Sequence, residues 1–286
     1  MASTPAPDAT AQVDWAAACG RMATGVGRAL DLAAPGHARA EVVGRGEGGD
    51  STTAIDRAAE DAVVRELEAV AAGGARFRLV SEELGARDFN GGGPTTILVD
   101  PIDGSLNAKR GLPIFCLSVA VADGSTVGDV RFGAVYDLTG GDAWVASRGG
   151  GATVSGRRLG AEQPRDPFEV VLLEATTNAR RVSAATAALD GHCSRVRLLG
   201  SLALALCQLA DGRADALATL ARTRAVDLAA AQLIVREAGF AVVAPGVEGG
   251  LDAMPLDLAR RVPVYAARDA GAAQRLADLL AGTMPT

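Results

Sequence analysis

"TTILVDPIDGSLN", residues 95–107, decides how this chain is read. The apolar run Ile97-Leu98-Val99 reads as a buried strand, and it drives straight into Asp100-Pro101-Ile102-Asp103-Gly104-Ser105. A tight turn explains the proline and the glycine. It does not explain two carboxylates at the tip. A second run, Phe77 to Val80, ends in Ser81-Glu82-Glu83. In α/β sheets ligands gather beyond the carboxyl ends of strands, so adjacent strands ending this way would bring Glu82, Glu83, Asp100 and Asp103 together. Unit charges about 4 Å apart repel by roughly 4 kcal/mol at an effective dielectric of 20, against a total domain stability of about 5–15 kcal/mol. Either the acids splay into water or a cation holds them. Oxygen-only donors suit Mg²⁺, Mn²⁺ or Ca²⁺, and the turn frees the Ile102 carbonyl to join them. Singly, each feature has a plainer reading: Glu82-Glu83 as a solvated turn, Asp227 as a helix N-cap.

The bulk numbers narrow the classes. At 286 residues the chain can form one large domain or two modest ones with a sizeable core. A net charge of −6 argues against a basic groove for nucleic acid as a global feature. The four cysteines (Cys19, Cys116, Cys193, Cys207) show no CxxC pair or metal-finger spacing and read as free thiols of a reducing compartment. Only His37 and His192 are available for a Ser-His-Asp site or a His-ligated zinc, and neither lies near a convincing partner motif. The first residues lack a basic-then-apolar signal, and no apolar run approaches the roughly 20 residues of a membrane span. The expectation is a cytoplasmic protein.

Along the chain, residues 1–10 are expected to be disordered. Helices are expected over 12–33, from about Asp50 to Ala72, 179–190, Ser201–Ala210, from Asp227 to Gly239 and over 269–281, with 44–50 as a loop. Strands are expected at 77–80, 95–100, 115–122, 130–137, 168–176 and 196–200, with a hairpin around Gly149-Gly150-Gly151. A helix pair, an antiparallel sheet and then an alternating half give a mixed α/β (α+β) chain. Two packed subdomains are expected: 11–162, carrying most of the acids, and 163–286, carrying Asp227, with a soft boundary near 160–168.

Five stretches in order resemble the inositol monophosphatase family of magnesium-dependent, lithium-sensitive sugar-phosphate phosphatases. "DPIDGSLN" looks like its central D-P-[IL]-D-G-[ST]-x-N motif, and "VSEELG" like its upstream glutamate pair. "AVDLAAAQLIVREAGF" is similar to its C-terminal motif, "GDSTTAIDRAAE" to its early D-x-V-T-x-x-D-x-x-x-E segment, and "LLGSLALALCQLADGRADA" to its small-residue helix. The resemblance spans about residues 12–270 and implies a layered α-β-α-β-α fold, usually as a homodimer. It further implies that Glu82, Asp100, the Ile102 carbonyl, Asp103 and Asp227 hold two or three Mg²⁺. It counts Asp56, Ser105 and Glu82 as catalytic, with Asp56 and Ser105 orienting the attacking water, and has Asp103 with the Gly104 and Ser105 amides take the phosphate. Glu83, Gly200, Ser201, Arg222 and Arg224 are candidate substrate contacts.

Some positions depart from the family. Ser105 replaces the commoner Thr, Val226 the Trp before the last metal Asp, Ala231 a Gly, and Phe240 the second Gly of the ending. Leu220 stands where animal members carry a substrate-gripping Glu. Arg222 and Arg224 crowd that loop, and Lys109 and Arg110 follow the central motif, where such charges can pair with a second phosphate. "LNAKRGLP" and "TRAVDLAA" look more like the archaeal and actinobacterial branch, some members of which also hydrolyse fructose 1,6-bisphosphate. Inositol-1-phosphate is therefore the first substrate expected and fructose bisphosphate the second, ahead of a nucleotide 3′-phosphatase or histidinol phosphatase. A non-catalytic, family-derived regulatory protein is the alternative class, and loss of a metal carboxylate or of the 105 hydroxyl would have pointed to it.

Overall fold

The computed structural model describes residues 9–32, 42–47, 51–160, 167–175 and 178–283. Helices α1 (Trp15–Leu32) and α2 (Ala54–Ala72) each carry one apolar stripe at helical spacing, Trp15, Ala18, Cys19, Met22 and Val26 on the first and Ile55, Ala59, Val63 and Leu67 on the second. Both stripes close on one face of a large sheet. Strands β1 (Val42–Arg45) and β2 (Ser51–Thr53) form a small antiparallel pair before α2. The large sheet uses β3 (Phe77–Ser81), β4 (Gly85–Phe89), β5 (Thr95–Asp103), β6 (Cys116–Asp123), β7 (Val130–Asp137), β8 (Ala143–Ser147), β9 (Gly151–Val154) and β10 (Arg157–Arg158), in the order β10-β9-β8-β7-β6-β5-β3-β4. Its pairs are antiparallel except β3 with β5. Helix α3 (Ser105–Arg110) follows β5.

The second half supplies β11 (Phe168–Glu174), α4 (Ala179–Ala188), β12 (Cys193–Arg197), α5 (Leu202–Ala210), β13 (Ala216–Thr219), α6 (Ala225–Glu237), β14 (Ala241–Val243), β15 (Tyr265–Ala267) and α7 (Ala270–Leu280). Its five-stranded sheet runs β12-β11-β13-β15-β14. The period-2 alternation of strands sorts side chains into layers. In β5, Ile97 and Val99 face α1 and α2 while Leu98 joins α5 and α6. In the second sheet Leu172, Leu217 and Ala266 join α5 and α6, while Val171, Leu173, Ala216, Ala218, Tyr265 and Ala267 pack on α4 and α7. The result is five layers, α-β-α-β-α. The central helices are apolar nearly all round because sheets cover them on both sides. Among the described residues no helix is long and apolar enough to cross a membrane.

Several expectations need correction. Residues 1–8 lie outside the described residues, but Thr10 is not frayed: it is buried, and its hydroxyl donates to the Arg76 carbonyl at 2.9 Å. Of the expected loop at 44–50, Gly44 and Arg45 belong to β1, and residues 48–50 lie outside the described residues, as do 161–166 of the subdomain boundary. The strand β4 was missed because it is an edge strand with exposed Arg87 and Asp88; it is anchored by Phe89 stacked on Phe77 at 4.7 Å. The strand expected at 196–200 ends at Arg197, since the Leu199 and Gly200 N–H groups turn to the Glu174 carboxylate instead of a ladder. Asp100-Pro101-Ile102-Asp103 is a bulge within β5 rather than a turn beyond it: the β6 register shifts between Asp100 and Asp103, where Pro101 has no N–H to offer. Helix α6 begins at Ala225, so Asp227 is not its N-cap but reaches back to it from the first turn.

Gly133 sets how closely α6 approaches the large sheet. A Cβ there would lie 2.6 Å from the Ala230 carbonyl oxygen of α6. Gly133→Val is expected to lower stability by about 1–3 kcal/mol, as overpacking does. The check is a urea titration in which the midpoint falls while the slope stays unchanged.

Candidate active site

The parallel pairing of β3 with β5 matches Ser81 to Val99, so Glu82 and Asp100, one residue on, emerge side by side. Helix α6 brings Asp227 to the same place from the other half of the chain. One ligand atom from each of Glu82, Asp100 and Asp227 lies within 4.8 Å of the others. Asp100 is almost fully buried, and its Oδ1 accepts the Ile102 N–H at 3.0 Å inside the bulge. Asp227 Oδ2 accepts from Thr223 Oγ1 at 2.8 Å and from the Arg224 N–H at 3.0 Å, which caps α6. Arg224 Nη2 donates to Glu82 Oε1 at 2.5 Å and to Asp227 Oδ1 at 3.2 Å.

Asp103 lines the same cleft but stands outside that group of three. Its Oδ2 accepts Ser201 Oγ at 2.7 Å and the Ala203 N–H at 2.6 Å, tying β5 to the first turn of α5. Gly104 turns the chain into α3 with φ of 91°, and a Cβ there would sit 2.9 Å from the Ile114 carbonyl, so only glycine fits. Asn107, in that helix, donates to the carbonyls of Ile114 and Leu199, each at 2.8 Å.

The electrostatics follow from burial. Glu82 is pushed up to about 7 by desolvation, with Arg224 pulling down and Asp227 pushing up. Asp100 is raised well above the carboxylate range by desolvation, then by Glu82, Asp103 and Asp227. Asp103 is raised to about 6 by desolvation, eased by Ser201. For Arg224 burial works against the charge, but Asp227 and Glu82 raise its pKa above its ordinary value. Oxygen-only donors, buried and converging, fit a hard divalent cation, whose charge would relieve this repulsion.

These acids and α3 line one side of a cleft of about 750 Å³ that also reaches Ile102, Gly104, Ser105, Glu174 and Gly200. Besides Arg224, three arginines line it: Arg181, half-buried, and the exposed Arg222 and Arg261. Other expected site residues sit elsewhere. Glu83 does not line the cleft; its Oε2 accepts the hydroxyl of Thr52 in β2. Asp56 is buried on α2, where its Oδ2 takes the Thr53 N–H at 2.9 Å, the Thr53 hydroxyl at 2.6 Å and Lys109 Nζ at 3.0 Å. Leu220 is fully buried in the outer core, so that position offers no polar group to a substrate. His192 is exposed and off the cleft, and His37 lies outside the described residues.

Sequence reasoning missed Glu174, Arg181, Arg261 and the Lys109–Asp56 pair. Glu174 carries the signal used for the other acids, an apolar strand ending in a carboxylate; it is buried and raised to about 7 by desolvation, eased by the Leu199 and Gly200 amides. Nothing in the pattern around Arg261 marks it.

Comparison with known proteins places the chain among phosphoric monoester hydrolases. A profile of the inositol monophosphatase family matches residues 12–284, and the chain belongs to that family. It is 35% identical over 243 residues to a fructose-1,6-bisphosphatase/inositol-1-monophosphatase of Methanothermobacter thermautotrophicus, covering 80% of this chain and 83% of that one. To the human inositol monophosphatase 2 it is 33% identical over 222 residues, with 73% and 71% covered. The IMPase of Thermotoga maritima superposes with a TM-score of 0.76 at 24% identity, over 95% of this chain and 98% of that one, a likeness that bears on the fold alone.

Glu60 meets Ser81, the residue before Glu82. It is buried on α2, its Oε2 accepts Ser81 Oγ at 2.6 Å, and desolvation raises it to about 7. Between about 4.5 and 7 the folded chain therefore holds a proton that the unfolded chain releases. The stability this provides is complete below about 4.5 and is lost as pH rises through 7. Glu60→Gln should remove that slope, so the stability of the variant relative to wild type rises by about 2–3 kcal/mol between pH 5 and pH 8. Paired urea titrations at the two pH values measure it.

Proposed function

We propose that the chain is a Mg²⁺-dependent phosphatase of small phosphorylated polyols, with inositol-1-phosphate as first substrate and fructose 1,6-bisphosphate as second. The observation that carries this reading is the convergence of Glu82, Asp100 and Asp227 on a cleft that Ser105 and Gly104 also line. In this reading Glu82, Asp100, the Ile102 carbonyl, Asp103 and Asp227 hold two or three Mg²⁺. Bound there, the ions would neutralise phosphoryl oxygens and acidify a water. The Ser105 hydroxyl orients the attacking water, and the Gly104 and Ser105 N–H groups receive phosphate oxygens. Asp103, gripped by Ser201 and the Ala203 N–H, holds the bulge in place beneath the phosphate. The chain acts in the cytoplasm, a reducing compartment that suits its four free cysteines, and it acts as a homodimer.

One observation favours the bisphosphate as a real second substrate: Arg181, Arg222 and Arg261 line the same cleft as the acids and suit a second anionic group. The relative from Methanothermobacter carries both activities in its name.

The metal-replete protein is expected to release phosphate from inositol-1-phosphate and from fructose 1,6-bisphosphate, and to stop when EDTA is added. Asp100→Asn should cut turnover by about a thousandfold or more with an unchanged circular dichroism spectrum. No release from either substrate, or full activity in that variant, contradicts the reading.

Arg222→Ala is expected to lower kcat/KM for fructose 1,6-bisphosphate by about 10- to 100-fold while leaving inositol-1-phosphate within about threefold. Equal losses on both substrates remove the second-phosphate role.

A further inference from the structure

A cation of the chain itself already bridges two of the clustered carboxylates. One nitrogen, Nη2 of Arg224, donates to both Glu82 Oε1 and Asp227 Oδ1, at 2.5 and 3.2 Å, while Nε lies 3.4 Å from Asp227 Oδ2. The side chain is only 9% exposed. Asp227 Oδ2 is also held by the helix cap, through Thr223 Oγ1 and the Arg224 N–H, which leaves Oδ1 as the oxygen bound by the guanidinium alone among the contacts just described.

We propose that Arg224 is a displaceable counter-ion, and that its guanidinium and a divalent ion compete for Glu82 Oε1 and Asp227 Oδ1. The proposal rests on the reading that this cluster holds divalent ions. Mg²⁺ takes oxygen ligands at about 2.0–2.1 Å. A nitrogen on the same two oxygens uses the same lone pairs, and two cations packed into that volume repel. Entry of the ion therefore requires the guanidinium to leave.

The local structure lets the side chain leave without the backbone. Thr223 pairs with Val262 in both directions, its N–H to the Val262 carbonyl at 2.8 Å and its carbonyl to the Val262 N–H at 3.0 Å, and the Arg224 N–H is bound to Asp227. The cleft that Arg224 lines offers about 750 Å³ into which its end can swing. Without metal, Arg224 supplies the charge that keeps the buried acids tolerable. With metal, it is released beside the place where a phosphate would bind. The activity of the protein then has a metal threshold set by one arginine. Lys109 on Asp56 is a second internal cation, but it stands outside the Glu82–Asp227 bridge and does not enter this competition.

The test is Mn²⁺ binding to EDTA-treated protein, with free ion read by electron paramagnetic resonance. If Arg224 covers the site nine-tenths of the time, wild type binds about tenfold more weakly than an open site, so Arg224→Met should bind its tightest Mn²⁺ about tenfold more tightly. The same variant should melt lower than wild type without metal and gain more on adding Mg²⁺, while Arg224→Lys stays close to wild type in affinity. Equal affinity and equal Mg²⁺-induced stabilisation in wild type and Arg224→Met overturn the counter-ion proposal and leave the phosphatase reading intact. No Mn²⁺ binding by either protein overturns both. If Arg224→Met does not fold without metal, wild type decides alone: the arginine ¹⁵Nε–H signal that is lost in Arg224→Lys must move when Mg²⁺ is added, and a signal that stays in place overturns the proposal.

Discussion

Buried carboxylates repel one another, and most of the architecture around the cleft serves to make that repulsion tolerable. Glu82 and Asp100 are side by side because β3 and β5 are the one parallel pair of the large sheet. Asp227 joins them from α6, and Asp103 stands close by. Each acid has protein donors: the Ile102 N–H for Asp100, Ser201 and the Ala203 N–H for Asp103, Thr223 and the Arg224 N–H for Asp227, and the Arg224 guanidinium for Glu82. Asp103 and Asp227 also meet the first turns of α5 and α6, where the aligned peptide dipoles favour negative charge. The compensation is partial, since Glu82, Asp100 and Asp103 all remain harder to ionise than free carboxylates. A site left in that condition is one that gains by accepting a cation.

The layered packing serves the same end by a different route. Bringing Asp227 to β3 and β5 requires a helix of the second half to lie on a sheet of the first. Alanine and glycine make this close approach possible. Ala229, Ala230 and Ala231 are buried on α6, and Gly133 faces the Ala230 carbonyl across the contact. The scarcity of aromatic residues, 3% of the chain, fits a central layer with little room between two sheets. Residues of the two halves share one core cluster, in which α5 and α6 lie between Leu98 and Trp144 of the large sheet and Leu172 and Leu217 of the small one.

How much of this could be read from the sequence varied with the range of the interaction. Asp100, Asp103 and Glu82 were legible because a buried strand ending in acids is a local signal, and the five motif stretches in order led to the layered fold. Asp227 was legible as an acid at a helix start, though its place in the first turn, reaching back to Arg224, needed coordinates. Glu83 misled because adjacency in sequence says nothing about which way a side chain turns; Glu82 meets Arg224 and Glu83 meets Thr52. The role of Arg224 was hidden for the same reason. A guanidinium near an anionic substrate and a guanidinium on a carboxylate pair look alike in a string of letters, and the contact that separates them spans 142 positions. Strand β4 and the Lys109–Asp56 pair were invisible because one lies at a polar sheet edge and the other joins two motifs that are far apart in the chain.

That span of 142 positions has a consequence for synthesis. On the ribosome Glu82, Asp100 and Asp103 leave the exit tunnel well before Arg224 or Asp227 exists. The first sheet can begin to pair its strands on α1 and α2, but its acids have no Arg224 guanidinium to meet and no α5 or α6 to bury them. Those carboxylates cannot be covered by α5 and α6 until the last third of the polypeptide has been made. The nascent protein thus avoids enclosing like charges before their partner has been made.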